Sequence, residues 1–110
     1  MKKLLLTAVM AIGMLYTASA QEYILPKSTV GTVKKQDLKD LMEYASSNDD
    51  KVFYQVYQVL AAQRLATMVK KPICVTVLDV EWFEGVTQVR ILGTKVKIWV
   101  LSNALKTKCN

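Results

Sequence analysis

The stretch VTQVRILGTKVKIWVL, residues 86–101, decides the fold class of this 110-residue chain. Polar and apolar side chains alternate on both sides of Gly93-Thr94. This period of two predicts half-buried strands over 86–92 and 95–101, and so short a turn between them requires antiparallel pairing. In the second strand we expect the core side to carry Val96, Ile98 and Val100, and the outer side to carry Lys95, Lys97 and Trp99.

Upstream of these strands, residues 73–80 are rich in β-branched residues and predict a third strand. Further upstream the apolar period becomes that of a helix. It predicts helices over 36–46 and 49–62, which together form a helical hairpin. Ser47 with Asp50 resembles a capping box for the second helix. Capping also accounts for the acidic pair at 49–50 without a metal ion.

The N-terminal part of the chain reads differently. Two lysines, an apolar run and Ala18-Ser19-Ala20 are typical of a cleaved signal peptide over residues 1–20. Residues 21–35 contain proline, glycine and hydroxyl residues, which predict an extended N-terminal arm. No further apolar run reaches 18 residues, so we expect no membrane span and an exported, periplasmic protein.

Charge and composition narrow the function classes. The chain has 15 basic and nine acidic residues. Without Lys2 and Lys3 the net charge is 13 − 9 = +4. No histidine is present, which excludes Ser-His-Asp and Cys-His sites and histidine-ligated zinc. We therefore expect no enzyme, no cofactor and no metal.

Two cysteines in a small exported protein indicate a disulfide between Cys74 and Cys109. An intermolecular pair stays open as an alternative, as does a homodimer. An intramolecular bond closes a loop of about 36 residues and contributes ~4 kcal/mol by the chain-entropy estimate.

Residues 73–105 resemble a bacterial SH3-like barrel. The resemblance lies in a V-x-V-L-D strand at 75–79, the strand at 85–91, the Gly93-Thr94 turn, and the closing run WVLSNAL at 99–105. It implies an α+β fold, in which the helical hairpin (36–63) precedes a small antiparallel SH3-like barrel (64–110) of the same domain. Leu101 stands where polyproline-binding SH3 domains have proline, so polyproline binding is not carried over. Domains of this class often contact cell-wall peptides or partner proteins.

A second resemblance is to exported immunity proteins that block cell-wall amidases. It is carried by Asn103-Ala104-Leu105 before Cys109, and by Ile73-Cys74-Val75 after an amphipathic helix. That family is mostly helical, whereas residues 86–100 are strand-like.

Two sets of side chains are candidate partner-binding sites. Trp82 and Phe83 lie where a hairpin tip is expected, and large aromatic anchors dominate binding hot spots. The alternative is that one of the two rings caps the barrel core and only its neighbour is exposed. Lys95, Lys97 and Trp99 form an outward stripe of cations and one aromatic ring. Export argues against nucleic acid as its ligand, and an anionic envelope polymer or an acidic protein surface would fit. The alternative is that this stripe binds no ligand: the two lysines lie on a solvated strand face, and Trp99 is covered by the helices.

The sequence thus predicts a non-catalytic exported binding module that contacts a protein partner or the cell wall. The alternative is a periplasmic inhibitor, or immunity protein, that neutralises a cell-wall hydrolase.

Overall fold

The structure, a computed structural model, describes residues 21–109. The predicted signal peptide lies outside these residues. The elements in chain order are β1 (Glu22–Leu25), β2 (Val30–Thr32), α1 (Lys35–Ser46), α2 (Asp50–Ala62), β3 (Ala66–Met68), β4 (Ile73–Glu81), β5 (Val86–Ile91), β6 (Lys97–Leu101), a 3₁₀ turn (Ser102–Ala104) and β7 (Thr107–Lys108).

All strand pairs are antiparallel, and the strands form one sheet in the order β3-β2-β6-β5-β4-β1-β7. The predicted α+β class is confirmed. The sheet is open, however, with β3 and β7 as its two edges, so the predicted closure into a barrel is not found among the described residues. β2 forms a strand pairing with β6 at a single residue pair, Thr32 with Trp99, and this short pairing carries the sheet out to β3.

The two helices begin and end within one residue of their predicted bounds. They are joined by three residues and contact one another. The cap of α2 differs from the prediction. Asp49, not Ser47, is the N-cap, and its carboxylate accepts from the Val52 backbone N–H at 3.4 Å. The Ser47 hydroxyl instead donates back to the Glu43 carbonyl at 2.9 Å, because it lies at the C-terminal end of α1.

The segment predicted as an extended arm contributes two strands to the sheet. β1 lies between β4 and β7, and β2 lies between β6 and β3. Leu25 at the end of β1 is fully buried. The extended conformation was therefore foreseen, but its place inside the sheet depends on partners that are far away in the sequence.

The two faces of the sheet have different cores. One face carries the main apolar cluster, whose buried members are Leu25, Val69, Val75, Val89, Ile98 and Val100. On the opposite face α1 packs against β2 and β6, and α2 packs against β3. Leu38 and Leu41 of α1 are completely buried. Val96 is half exposed, contrary to prediction, because β6 begins at Lys97 and Val96 belongs to the preceding turn.

Gly31 sets how closely β2 approaches the main cluster. A Cβ atom at this position would lie 2.5 Å from Cδ1 and 3.3 Å from Cβ of Ile98. A larger residue at position 31 would therefore force the Ile98 side chain to move from its observed position against β2. None of the helices in the described part of the chain is long and apolar enough to cross a membrane.

Candidate functional site

Residues 82–85 form the turn between β4 and β5, and we call them the aromatic tip. Two backbone hydrogen bonds close it, from the N–H groups of Glu84 and Gly85 to the Glu81 carbonyl, at 3.2 and 2.9 Å. Gly85 has φ of +69°, a left-handed conformation that glycine adopts without steric cost. The Gly85 carbonyl accepts from the Ser102 N–H at 2.9 Å. Hydrogen bonds to Glu81 and to Ser102 thus connect the backbone of the tip to β4 and to the residue that follows β6.

Both aromatic side chains of the tip are exposed to solvent. Trp82 is 83 % exposed and Phe83 is fully exposed. Exposure of two adjacent large aromatic rings leaves apolar area in water that burial against a partner would remove. The location at a hairpin tip agrees with the sequence-based prediction.

Three ion pairs attach the aromatic tip and the last residue of β4 to helix α1. Lys35 Nζ lies 2.9 Å from Glu81 Oε1 and 2.9 Å from Glu84 Oε2, and Lys39 contacts the second oxygen of Glu84. Lys35 and Lys39 are one helical turn apart, so their ammonium groups reach the tip from the same side. The tip is therefore positioned by its backbone and by α1 together.

These contacts shift the titration of both partners. Hydrogen bonds from Lys39 and then Lys35 lower the pKa of Glu84 below its ordinary value. Hydrogen bonds to Glu84 and then Glu81 raise the pKa of Lys35 above its ordinary value. Both shifts favour the charged forms. At neutral pH Glu84 is an ionised partner of two lysines.

A mainly apolar groove of about 260 Å³ lies directly below Trp82. Its lining side chains are Gln21, Tyr23, Val77, Val80, Trp82, Thr87, Ser102 and Leu105. The hydroxyl groups of Thr87 and Ser102 are 2.7 Å apart. This tip groove therefore offers apolar walls and a hydroxyl pair beside an exposed indole ring.

Trp99 lies in the middle of β6 and is only half buried. Its residue neighbours across the sheet are Thr32 and Gln88. Lys35 Nζ lies 5.6 Å from the centre of its ring, within the range of a cation–π contact. The packing of α1 against β6 thus partly covers Trp99 and links it, through Lys35, to the aromatic tip.

Lys95 and Lys97 are exposed, as predicted, but they lie at the far end of the β5–β6 hairpin from the tip. Arg90 pairs with Lys97 across the two strands and is also exposed. In residues 21–109, none of these three cations forms an ion pair. The structure therefore separates the predicted partner-binding residues into an aromatic tip and a distant basic stripe.

The cysteine pair is intramolecular. The Cα atoms of Cys74 and Cys109 are 5.9 Å apart, within the range of disulfides, and the two sulfur atoms are bonded. Cys74 lies in β4 and Cys109 follows β7, so the bond links the two strands that flank β1.

The sequence reasoning missed Lys35 and Lys39, which hold the tip. A signal for them exists in the spacing of the charges. Two lysines four apart on α1 match two glutamates three apart around the turn. Nothing local in the sequence says that α1 lies beside this particular turn.

Acidification should release the aromatic tip. Because the folded-state pKa of Glu84 is lowered, its contribution to stability is present above the unfolded-state value of about 4.3 and is lost as pH falls through the folded-state value. The folded-state pKa of Lys35 is raised, so its contribution to stability is present at neutral pH and is lost only at strongly alkaline pH. Unfolding measured between pH 7 and pH 2 should show Glu84→Gln less stable at pH 7 and equal to wild type at the acidic end. A pH-independent difference would show that Glu84 acts through packing.

No protein-family model, curated protein or solved structure matches this chain.

Proposed function

We propose that the protein is an exported, non-catalytic binding module whose aromatic tip contacts a partner protein. The observation that carries the proposal is the exposure of Trp82 and Phe83 on a turn closed by backbone hydrogen bonds and paired with α1 through Glu84. A turn with defined backbone hydrogen bonds loses less conformational entropy on binding than an open loop, so more of the energy from ring burial goes into affinity. The tip groove beside Trp82 would receive an apolar side chain of the partner.

Export is supported by the cysteine bond, which forms in oxidising compartments, and by the signal-peptide pattern of residues 1–20. The periplasm suits both observations. The resemblance of residues 73–105 to SH3-like barrels agrees with a role in binding. The geometry also suits an inhibitor of a cell-wall hydrolase, in which the tip would contact the enzyme.

Replacing both tip rings should abolish partner binding without unfolding the protein. Each ring has the size and exposure of a binding hot spot, whose loss costs about 2 kcal/mol or more, so Trp82→Ala/Phe83→Ala should bind at least ~100-fold more weakly. The measurement is crosslinking in the periplasm followed by quantitative binding to the recovered protein. Tyr54→Ala is the matched control, because Tyr54 is also an exposed aromatic residue but lies on α2. Equal losses in the tip variant and the control would rule out the tip.

The basic stripe supports a second candidate function, binding to an anionic cell-wall polymer. Lys95, Lys97 and Arg90 share an exposed end of the sheet and form no ion pair among the described residues. Co-sedimentation with purified peptidoglycan separates the two candidates. Binding that is lost at high salt and in Lys95→Gln/Lys97→Gln, but kept in the tip variant, would favour the wall. No sedimentation at any salt leaves the protein partner as the function.

A further inference from the structure

The open edge of the sheet at β3 lies beside an apolar groove on the main-cluster face. Two adjoining cavities, of about 200 and 360 Å³, share Thr67, Ile91 and Ile98 in their linings. The first extends toward Val33, Leu65 and Val96, and the second toward Met68, Val69 and Ile73. Together they form one trough, which we call the β3 groove. It exists because the sheet does not continue beyond β3.

The backbone of β3 has hydrogen-bonding groups that face outward. Val33 N–H donates to the Leu65 carbonyl at 2.9 Å, and Val69 N–H donates to the Thr29 carbonyl at 2.9 Å. Residues 65 and 69 therefore bond toward β2, and so does Thr67, which is in phase with them. In an antiparallel strand alternate residues bond to opposite sides. The N–H and C=O groups of Ala66 and Met68 consequently face the edge, where no described strand pairs with them.

The charged side chains that line the β3 groove indicate which kind of partner it would bind. Arg64 lines one end of the β3 groove, and Lys70 and Lys71 line the other. Among residues 21–109, no acidic side chain lines either cavity. Arg64 and Lys70 are six residues apart, about 20 Å in extended chain. An anionic lipid would place one charged headgroup at one end, whereas a peptide strand can meet cations at both.

We propose that the β3 edge binds an extended segment of a partner protein, about six residues long, with acidic residues near both ends and β-branched residues between them. The segment adds an eighth strand to the sheet through Ala66 and Met68, and alternate side chains enter the β3 groove. This proposal is independent of the aromatic tip, because the groove lies toward the β5–β6 turn and the tip lies at the opposite end of these strands.

The test uses a labelled peptide, acetyl-EVTVTVE-amide, and its cationic counterpart, acetyl-KVTVTVK-amide, with binding followed by fluorescence anisotropy on the disulfide-bonded protein. The acidic peptide should bind at least ~10-fold more tightly than the cationic one, and added salt should reduce the difference. Equal binding of the two peptides, or no binding of the acidic peptide at millimolar concentration, would overturn the proposal.

Met68→Pro tests the strand addition itself. Proline removes the one N–H of Met68 that faces outward and leaves the bonds to β2 intact, a position at which edge strands tolerate proline. Affinity for the acidic peptide should fall about tenfold, the factor that corresponds to ~1.4 kcal/mol for a lost hydrogen bond. Met68→Val is the matched control, since it changes the side chain and keeps the N–H. An unchanged affinity in Met68→Pro, with an unchanged unfolding midpoint, would overturn the proposal.

Variants that remove lysines of the β3 groove test the predicted charge recognition. Lys70→Gln/Lys71→Gln should weaken acidic-peptide binding, whereas Lys27→Gln/Lys51→Gln, which removes two exposed lysines elsewhere, should leave it unchanged. Trp82→Ala/Phe83→Ala should also bind the peptide normally, which separates this proposal from the function of the tip. Preferential binding of phosphatidylglycerol vesicles, or a dimer in sedimentation equilibrium that Met68→Pro dissociates, would replace the peptide by a lipid or by a second copy of the chain.

Discussion

Replacing Cys74 and Cys109 by serine should lower the free energy of unfolding by ~4 kcal/mol. The bond closes a loop with a sequence separation of 35 residues, and the chain-entropy estimate for such a loop gives this value. Small domains have total stabilities of about 5–15 kcal/mol, so the loss is a large share. Denaturant unfolding with the cysteine bond intact and with the double variant measures it directly.

Without the cysteine bond, we expect local unfolding of the sheet edge at β7 to begin before the whole protein unfolds. β7 pairs with β1 through only two residue pairs, Tyr23 with Lys108 and Ile24 with Thr107. Without the covalent link from Cys109 to β4, this edge strand has few contacts to keep it in place. Amide exchange should therefore accelerate first in β7 and then in β1. A reductant should have no effect on the double variant, and an unchanged midpoint in that variant would contradict the prediction.

Leu38→Ala should destabilise the protein by about 2–5 kcal/mol, the range found for leucine truncation in packed cores. Leu38 is a completely buried residue of α1, which packs on the sheet face opposite the main cluster. The substitution leaves a cavity between the helix and the sheet. Val59→Ala in α2 is the control, because Val59 is mostly exposed and its truncation should cost less than about 0.5 kcal/mol.

The same substitution should loosen the aromatic tip. Leu38 lies between Lys35 and Lys39, the two residues that hold Glu84. If α1 shifts to fill the cavity, those ammonium groups move with it. Amide exchange of residues 82–85 should therefore rise in Leu38→Ala and stay unchanged in Val59→Ala. A stable tip in a destabilised protein would show that the turn's own backbone hydrogen bonds are sufficient.

Much of the local structure could be predicted from the sequence because the periodicity was strong. The helices differ from their predicted bounds by one residue at the start, and β4 and β5 by one residue at the end. Gly85 and Gly93 both adopt the positive φ that their turn positions suggest. The turn position of Trp82 and Phe83 was predicted, and the structure shows that both rings are exposed. The cap of α2 and the outward position of Val96 were missed, since each depends on where an element starts to within one or two residues.

The candidate site was only partly predictable. The sequence already placed Trp82 and Phe83 in one set and Lys95, Lys97 and Trp99 in another. The structure puts Lys95 and Lys97 at the other end of the hairpin and leaves Trp99 half covered by α1. Lys35 and Lys39 were not singled out at all. Their role depends on contacts that span more than 40 residues of sequence.

The sequence by itself determined the two helices, the strands β4, β5 and β6, and the turns at Gly85 and Gly93, because these follow from local periodicity and turn chemistry. It also singled out Trp82, Phe83 and the two cysteines, but the structure was needed to show that the cysteines pair within one chain. Only the tertiary structure decided that β1 and β2 enter the sheet at separate places, that α1 holds the aromatic tip, and that β3 is left as an open edge. The physical reason is that strand order and helix docking are set by the burial of apolar faces and the matching of charges between distant segments. The local pattern of residues does not show which distant segments will bury each other's apolar faces or match each other's charges.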